Sequence, residues 1–453
     1  MEKFRLSSAL GLAAGALMLV SGTVYATDSY VDVGKQEPIT ILINSSPWYR
    51  GFEAVVELYE EQTGNRVSLE VTPFNGMLEK ARAAVRSPGT SPLDLVNIDS
   101  PWTIEFYEGG FLTPLTDIDP AFEVPDEVYA YDDSGCWDQG KRFRTCDSGT
   151  LMGYSPNGNI QLQFYRGDVF KEKGLSPART FDEVLKNCEA LHNPSDTYGY
   201  LQVGQRGGGV TYSFMPYLLS YGGNLVADPL NGDYSVILNS PAAQQALDKF
   251  IEVSQKCGPE NYGIIGQGDL IQLLQTGKGL QAHAVVAAFP NFDDPRKSAV
   301  VDKIESSVLP SASMDASPGV GIANWVFGIP HNASDSGKKG ALAFSKWFLT
   351  YEAQYAYAEA GAIPVRRDVY ASDLKLQREF RWMDTYQDAI EHGKQIYGYA
   401  EGAAVVDVLE LKLNQALIGE LSSAAALNAA AEEMHKLFVR SGRKTGTLTP
   451  LSE

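Results

Sequence analysis

Residues 39–98 switch hydrophobic period again and again, and this alternation restricts the fold more than any other feature of the chain. Ile39, Ile41, Leu42 and Ile43 form a short apolar run, the mark of a buried strand. Phe52, Val55, Val56 and Tyr59 then recur at helical spacing, and Gly64 follows as a C-cap. Val67, Leu69 and Val71 alternate as a second strand, residues 77–85 return to a helical pattern, and residues 93–98 read as a third strand. Strand–helix–strand–helix–strand predicts an α/β fold with a parallel sheet and right-handed crossovers.

In such sheets ligands bind beyond the carboxyl ends of the strands. Each of the three loops at that edge pairs an aromatic with a small polar group: Ser46 with Trp48, Asn75 with Phe74, and Asp99 with Trp102. A sugar ring offers apolar C–H faces and a rim of hydroxyls. Aromatic faces pack on the former, and Asp, Asn, Ser and Arg bond the latter. The competing role for each tryptophan is closure of the core at a strand end. The coincidence of all three loops favours a binding edge.

A chain of 453 residues predicts two lobes or domains. The formal net charge is −19, and taking away the +1 of residues 1–26 makes it −20. A surface of that sign repels nucleic acid and anionic lipid. Residues 1–26 read as a cleaved signal peptide: Lys3 and Arg5 precede an apolar run over 6–20, and Val24-Tyr25-Ala26 has the small-x-small character of a cleavage site. Cleavage near Ala26 would deliver an exported, periplasmic protein. No later stretch is long and apolar enough to span a membrane.

Export places Cys136, Cys146, Cys188 and Cys257 in an oxidising compartment, where an even count suggests disulfides. Three pairings are possible. Cys136 and Cys146 bracket a short polar loop that a disulfide could staple, whereas Cys188 and Cys257 each sit in a helical pattern, so 136–146 with 188–257 is preferred. Zinc is the rival, but no Cys-x-x-Cys occurs and the histidines are scattered.

Further on, Tyr154, Asn157 and Gln161 are the polar groups nearest the expected crossing between lobes, with Asn157 a candidate ligand contact, and Thr180 with Glu183 has the spacing of a capping box. The cluster Gly204 to Gly209 lacks the Gly-Lys-Ser/Thr of a phosphate loop. It reads as a loop from which Arg206 reaches a ligand, followed by a helix that begins near Tyr212. His283, alone on an apolar strand, reads as a core residue.

Residues 317–370 carry four features in order. A glycine-punctuated loop from Gly319 to Asn324 delivers Trp325. An apolar strand over 326–329 stops at Pro330. Asn332, Ser334 and Asp335 then begin a helix in which Leu342, Phe344, Trp347 and Phe348 share a face. A second helical run over 352–359 ends at Gly361 and passes into Ala362-Ile363-Pro364-Val365-Arg366. With Pro177-Ala178-Arg179-Thr180-Phe181-Asp182-Glu183 and Tyr221-Gly222-Gly223, this order resembles the extracellular solute-binding proteins of family 1, the carbohydrate receptors of bacterial ABC importers.

The resemblance implies two α/β lobes of the type II-like periplasmic-binding-protein fold with a ligand cleft between them. Residues 27–155 and 300–350 would form the N-terminal lobe, and 156–299 and 351–453 the C-terminal lobe. It implies that Asn324 and Trp325 face the ligand, that Arg366 approaches from the other lobe, and that an aromatic contact lies near Phe380, Trp382 or Tyr386. It also implies a monomer that binds a carbohydrate or polyol and docks to the transmembrane permease subunits of an ABC importer, with no cofactor or metal. Two rivals remain. A secreted carbohydrate-active enzyme would need two carboxylates flanking one bond, and Asp99 is the only acid in the strand-end loops. A polyamine receptor would suit an acidic cleft, but Arg206 and Arg366 near the presumed site oppose a dication.

Overall fold

The computed structural model describes residues 31–452 except Asp132, Ser195, Gly208, Ala323 and Gln395, so the signal peptide expected over 1–26 lies outside the described residues. The chain begins with β1 (Ile39–Asn44), α1 (Tyr49–Thr63), β2 (Val67–Thr72), α2 (Phe74–Val85), β3 (Leu95–Asp99), α3 (Ser100–Glu108) and β4 (Leu112–Thr113). β1 pairs in parallel with both β2 and β3, as the alternation predicts. Its residues Ile41, Leu42 and Ile43 are fully buried, which is why the run has no polar face. Gly64 adopts a left-handed conformation, φ 67°, and its N–H donates to the carbonyl of Glu60, closing α1.

The late strand Trp325–Pro330 inserts between β3 and β4, giving the order β2-β1-β3-(325–330)-β4. It runs antiparallel to β3 with Trp325 opposite Asp99. An antiparallel neighbour starts where its partner ends, so Trp325 reaches the same edge as the carboxyl ends of β1, β2 and β3. The helix Asp335–Phe348 and the helix Tyr351–Glu359 then pack back on this first lobe, the latter on α1.

The second lobe has an antiparallel sheet of three strands, Gln281–Val285, Gln161–Arg166 and Ile304–Ser307, in that order. The lobe also has a separate helical core, built from Phe181–Leu191, Val210–Ser220, Pro241–Cys257, Gly402–Leu417 and Ser423–Arg440. The division expected at residue 300 therefore falls later, because Ile304–Ser307 still pairs with the second sheet. The division expected at 350 also moves, because Tyr351–Glu359 belongs with α1.

Chain crossings between the lobes are knitted together. Gly158 N–H donates to the carbonyl of Ile363 at 3.0 Å, and Asn157 Oδ1 accepts from Ile363 N–H at 3.3 Å. A β-carbon on Gly158 would stand 2.4 Å from the Tyr131 hydroxyl and 2.5 Å from the Pro364 carbonyl, so only glycine fits there.

Both disulfides take the preferred pairing, Cys136–Cys146 and Cys188–Cys257. The second ties the helix Phe181–Leu191 to the helix Pro241–Cys257. Thr180 caps the former, its hydroxyl accepting from Glu183 N–H at 3.2 Å. The return bond differs from a capping box: Glu183 Oε2 accepts from Arg179 N–H, one residue before the cap. His283 is buried, and loss of hydration pushes its imidazole down to about 3, so it is neutral.

Candidate functional site

The site is built from strand ends. Phe74 opens α2 after β2, Trp102 lies in the first turn of α3 after β3, and Trp325 starts the inserted strand. Their rings meet. Phe74 lies 5.1 Å from Trp102 and 6.0 Å from Trp325, and Trp102 lies 5.9 Å from Trp325. Trp325 stands at 84° to each of the other two, an edge-to-face corner. Trp325 is buried, Trp102 half-buried, and Phe74 45 % exposed, so the corner opens outward at Phe74.

Asp99 ends β3 at the same edge, opposite Trp325. As register partners, Asp99 and Trp325 share a sheet face. The next bond along, Ser100 N–H to the Asn324 carbonyl at 2.7 Å, marks the pair as the closely spaced, non-hydrogen-bonded kind. The Asp99 side chain accepts from Ser100 N–H at 3.1 Å and has no ion pair among the described residues. Protein surrounds the carboxylate on most sides, although part of the residue still meets solvent. Burial pushes its pKa up to about 7, against the opposing pull of the Ser100 bond and the Arg144 guanidinium. Tyr212, first turn of the helix Val210–Ser220, approaches from the second lobe: burial and the Asp99 charge both raise its phenol.

Other expected residues lie on the same edge. Ser46 follows β1 with its hydroxyl buried and unpartnered among the described residues, and Asn75 is exposed beside Phe74. Asn324 is fully buried with both side-chain polar atoms unpartnered among the described residues. Arg206 is exposed on the loop before the Val210–Ser220 helix.

Three expected residues stand apart. Trp48 is buried beneath the edge, its ring 6.2 Å from Phe52 at 89°, and closes the core at the end of β1. Asn157 is buried at the lobe crossing, where it also accepts from the Tyr357 hydroxyl at 3.4 Å. Arg366 is held by Asp368 at 2.6 Å and by the Leu349 carbonyl at 3.0 Å, with Glu127 at 3.5 Å. Its guanidinium locks a turn and is not offered to the cleft. Trp382 and Tyr386 are core as well; Tyr386 stacks on Tyr370 at 4.3 Å.

Sequence reasoning missed Arg144. This residue lies inside the loop closed by Cys136–Cys146, is buried, and donates from Nη1 to the Ser100 carbonyl at 3.0 Å. Its backbone N–H donates to the Gly398 carbonyl of the second lobe at 2.7 Å. In the same loop Arg142 pairs with Glu108 of α3, and Arg443 pairs with Glu401 at 3.1 Å while donating to the Arg142 carbonyl at 3.2 Å. The stapled loop thus spans the seam between the lobes. Its charged composition, Lys141, Arg142 and Arg144 between two cysteines, was the available signal.

The family model described as "Bacterial extracellular solute-binding protein" matches residues 44–355. A "Probable amino-acid ABC transporter periplasmic-binding protein" of Sinorhizobium fredii is 22% identical over 336 residues, 73% of each chain. An ABC transporter solute-binding protein of Agrobacterium radiobacter K84, solved in complex with ribitol, superposes with a TM-score of 0.76 at 22% identity, covering 89% of this chain and 99% of that one. One from Thermotoga lettingae TMO, bound with α-D-tagatose, gives 0.75 at 20% identity over 88% and 99%.

Proposed function

The chain belongs to the bacterial extracellular solute-binding proteins, and from that premise we propose that it captures a sugar or sugar alcohol between its lobes and delivers it to the permease of an ABC importer. The observation that carries this reading is the convergence of Phe74, Trp102 and Trp325 at the carboxyl edge of the first sheet, where Asp99 stands opposite Trp325. Ring faces suit the C–H surfaces of a polyol. Asp99, Ser46, Asn75, Asn324 and, from the second lobe, Tyr212 and Arg206 supply the hydrogen-bonding rim. The ribitol and tagatose complexes of the similar structures support the same chemical class.

Ligand contacts made by both lobes at once favour the closed form, because only differential contacts shift such an equilibrium. The protein works alone until the closed form docks on membrane subunits. Cleavage near Ala26 and release as a periplasmic monomer complete the reading.

A thermal-shift screen of sugars and polyols, followed by calorimetry on the hits, tests it. The expected result is saturation at one ligand per chain, a melting temperature that climbs with ligand concentration, and ligand recovered unchanged. Hydrolysed or oxidised sugar produced by purified protein would move the chain to the enzymes. Saturable binding of other solutes alone would remove the sugar assignment.

A further inference from the structure

Asp99 lies in a place that disfavours anions, within reach of the Arg144 charge but in no ion-pair contact among the described residues. Among the described residues its one hydrogen-bond donor is the Ser100 N–H. The charged and titratable groups that act on it are Arg144 from the stapled loop, which draws its pKa down, and the Tyr212 phenol from the second lobe. Burial outweighs the Ser100 bond and the Arg144 attraction and holds the carboxyl up to about 7.

Trp325 stands opposite Asp99 in the sheet register, Trp102 follows Asp99 by three residues, and the two indole rings are set edge to face. Aromatic faces attract cations through the ring quadrupole, most strongly where water is excluded. A carboxylate beside such faces is a matched pair of recognition elements for an ammonium, and neither element needs the ligand to be neutral. The two arginines that oppose a cation in the sequence are disposed of by the geometry. Arg366 is neutralised by Asp368 and capped on the Leu349 carbonyl, and Arg206 projects from an exposed loop.

We propose, resting on the polyol-receptor reading above, that the solute is an amino sugar or amino polyol whose protonated amine sits against Asp99 beside the Trp102–Trp325 corner. Its hydroxyls then meet the polar rim. The charge-assisted bond to Asp99 supplies discrimination that a neutral hydroxyl cannot match.

Calorimetry on the disulfide-intact protein at pH 8 compares three matched pairs: D-glucosamine with D-glucose, D-galactosamine with D-galactose, and N-methyl-D-glucamine with D-glucitol. In each pair that binds, the amine is expected to bind roughly tenfold tighter or more. Asp99→Asn is expected to bring that ratio close to one. Lowering the pH from 8 to 5 is expected to weaken the amines selectively, as Asp99 takes up a proton. Equal affinities, or preference for the neutral member, overturn the inference and leave the polyol reading standing. A ratio unchanged in Asp99→Asn overturns the assignment to Asp99. Binding of none of the six overturns the inference, and the polyol reading is then decided by its own screen.

Discussion

Asp99 and Trp325 face each other across the antiparallel register between β3 and the Trp325–Pro330 strand, flanked by the Ser100–Asn324 backbone bond of 2.7 Å. That pairing brings an acid from early in the chain and an aromatic from late in it onto one face at one edge. It fixes their separation by backbone geometry, so the site does not rely on loop flexibility to place them. Trp102 and Phe74 then complete the corner from adjacent helix starts.

The two tryptophans should separate binding from stability. Trp102→Ala is expected to weaken ligand affinity by about 10- to 100-fold, the equivalent of roughly 1–3 kcal/mol of lost stacking, with a small fall in melting temperature because Trp102 is half-exposed. Trp325→Ala is expected to lose comparable affinity and also about 3 kcal/mol of stability, since its buried ring leaves a cavity. Melting curves and calorimetry on both variants check this. Unchanged affinity in Trp102→Ala would make the corner structural only.

Asp99 makes stability depend on pH in a defined window. Its folded pKa of about 7 lies above the unfolded value of about 3.9. The native state therefore binds more protons than the unfolded state between those values, and stability falls as pH rises through the window. Asp99→Asn is expected to be more stable than the parent protein at pH 8, by at most roughly 4 kcal/mol and by less because water reaches part of the group. The gain should vanish below about pH 4. Urea midpoints at pH 4, 6 and 8 measure it, and a gain independent of pH would contradict the assignment.

Arg366 should behave oppositely to the site residues. Arg366→Met leaves Asp368 without its partner and the Leu349 carbonyl without a donor. The expected cost is about 3 kcal/mol of stability, with ligand affinity in the folded protein little changed. A selective loss of affinity would return Arg366 to the cleft.

Reducing the disulfides one at a time should show unequal effects. The Cys188–Cys257 bridge closes a loop of 69 residues and Cys136–Cys146 one of 10. Chain entropy alone gives about 4 and about 3 kcal/mol, respectively. Cys136→Ser with Cys146→Ser is expected to lower ligand affinity as well, because the loop it frees carries Arg142 and Arg144 across the seam. Cys188→Ser with Cys257→Ser is expected to affect stability only. Equal affinities in the two double variants would remove the loop from the site.

Local pattern disclosed the first lobe well. Periods in 39–98 disclose three strands and two helices because burial is written in residue spacing, as continuous apolar runs in β1 and β3 and as one apolar face in the helices. Phe74, Asp99 and Trp102 could be nominated for the same reason: a parallel sheet places its strand ends together. Trp48 has the same local setting as Trp102, yet its ring turns inward against Phe52, and nothing in the spacing distinguishes the two. Arg366 was nominated by a motif, but its partners Asp368 and the Leu349 carbonyl belong to a turn that only the folded chain reveals. Arg144 was invisible because its contacts, Ser100 and Gly398, are far from it in sequence and on different lobes.

The position of the Trp325–Pro330 strand inside the first sheet has a consequence for how the molecule is made. A chain emerging from its N-terminus presents β3 with one edge open, its residues Leu95, Val96 and Ile98 waiting for a partner encoded more than two hundred residues later. The earliest lobe to be synthesised is thus among the last parts to be finished, and the long closure it requires slows folding. During that interval the unpaired edge is sticky, so the first lobe stays open to wrong partners until residues 325–330 arrive.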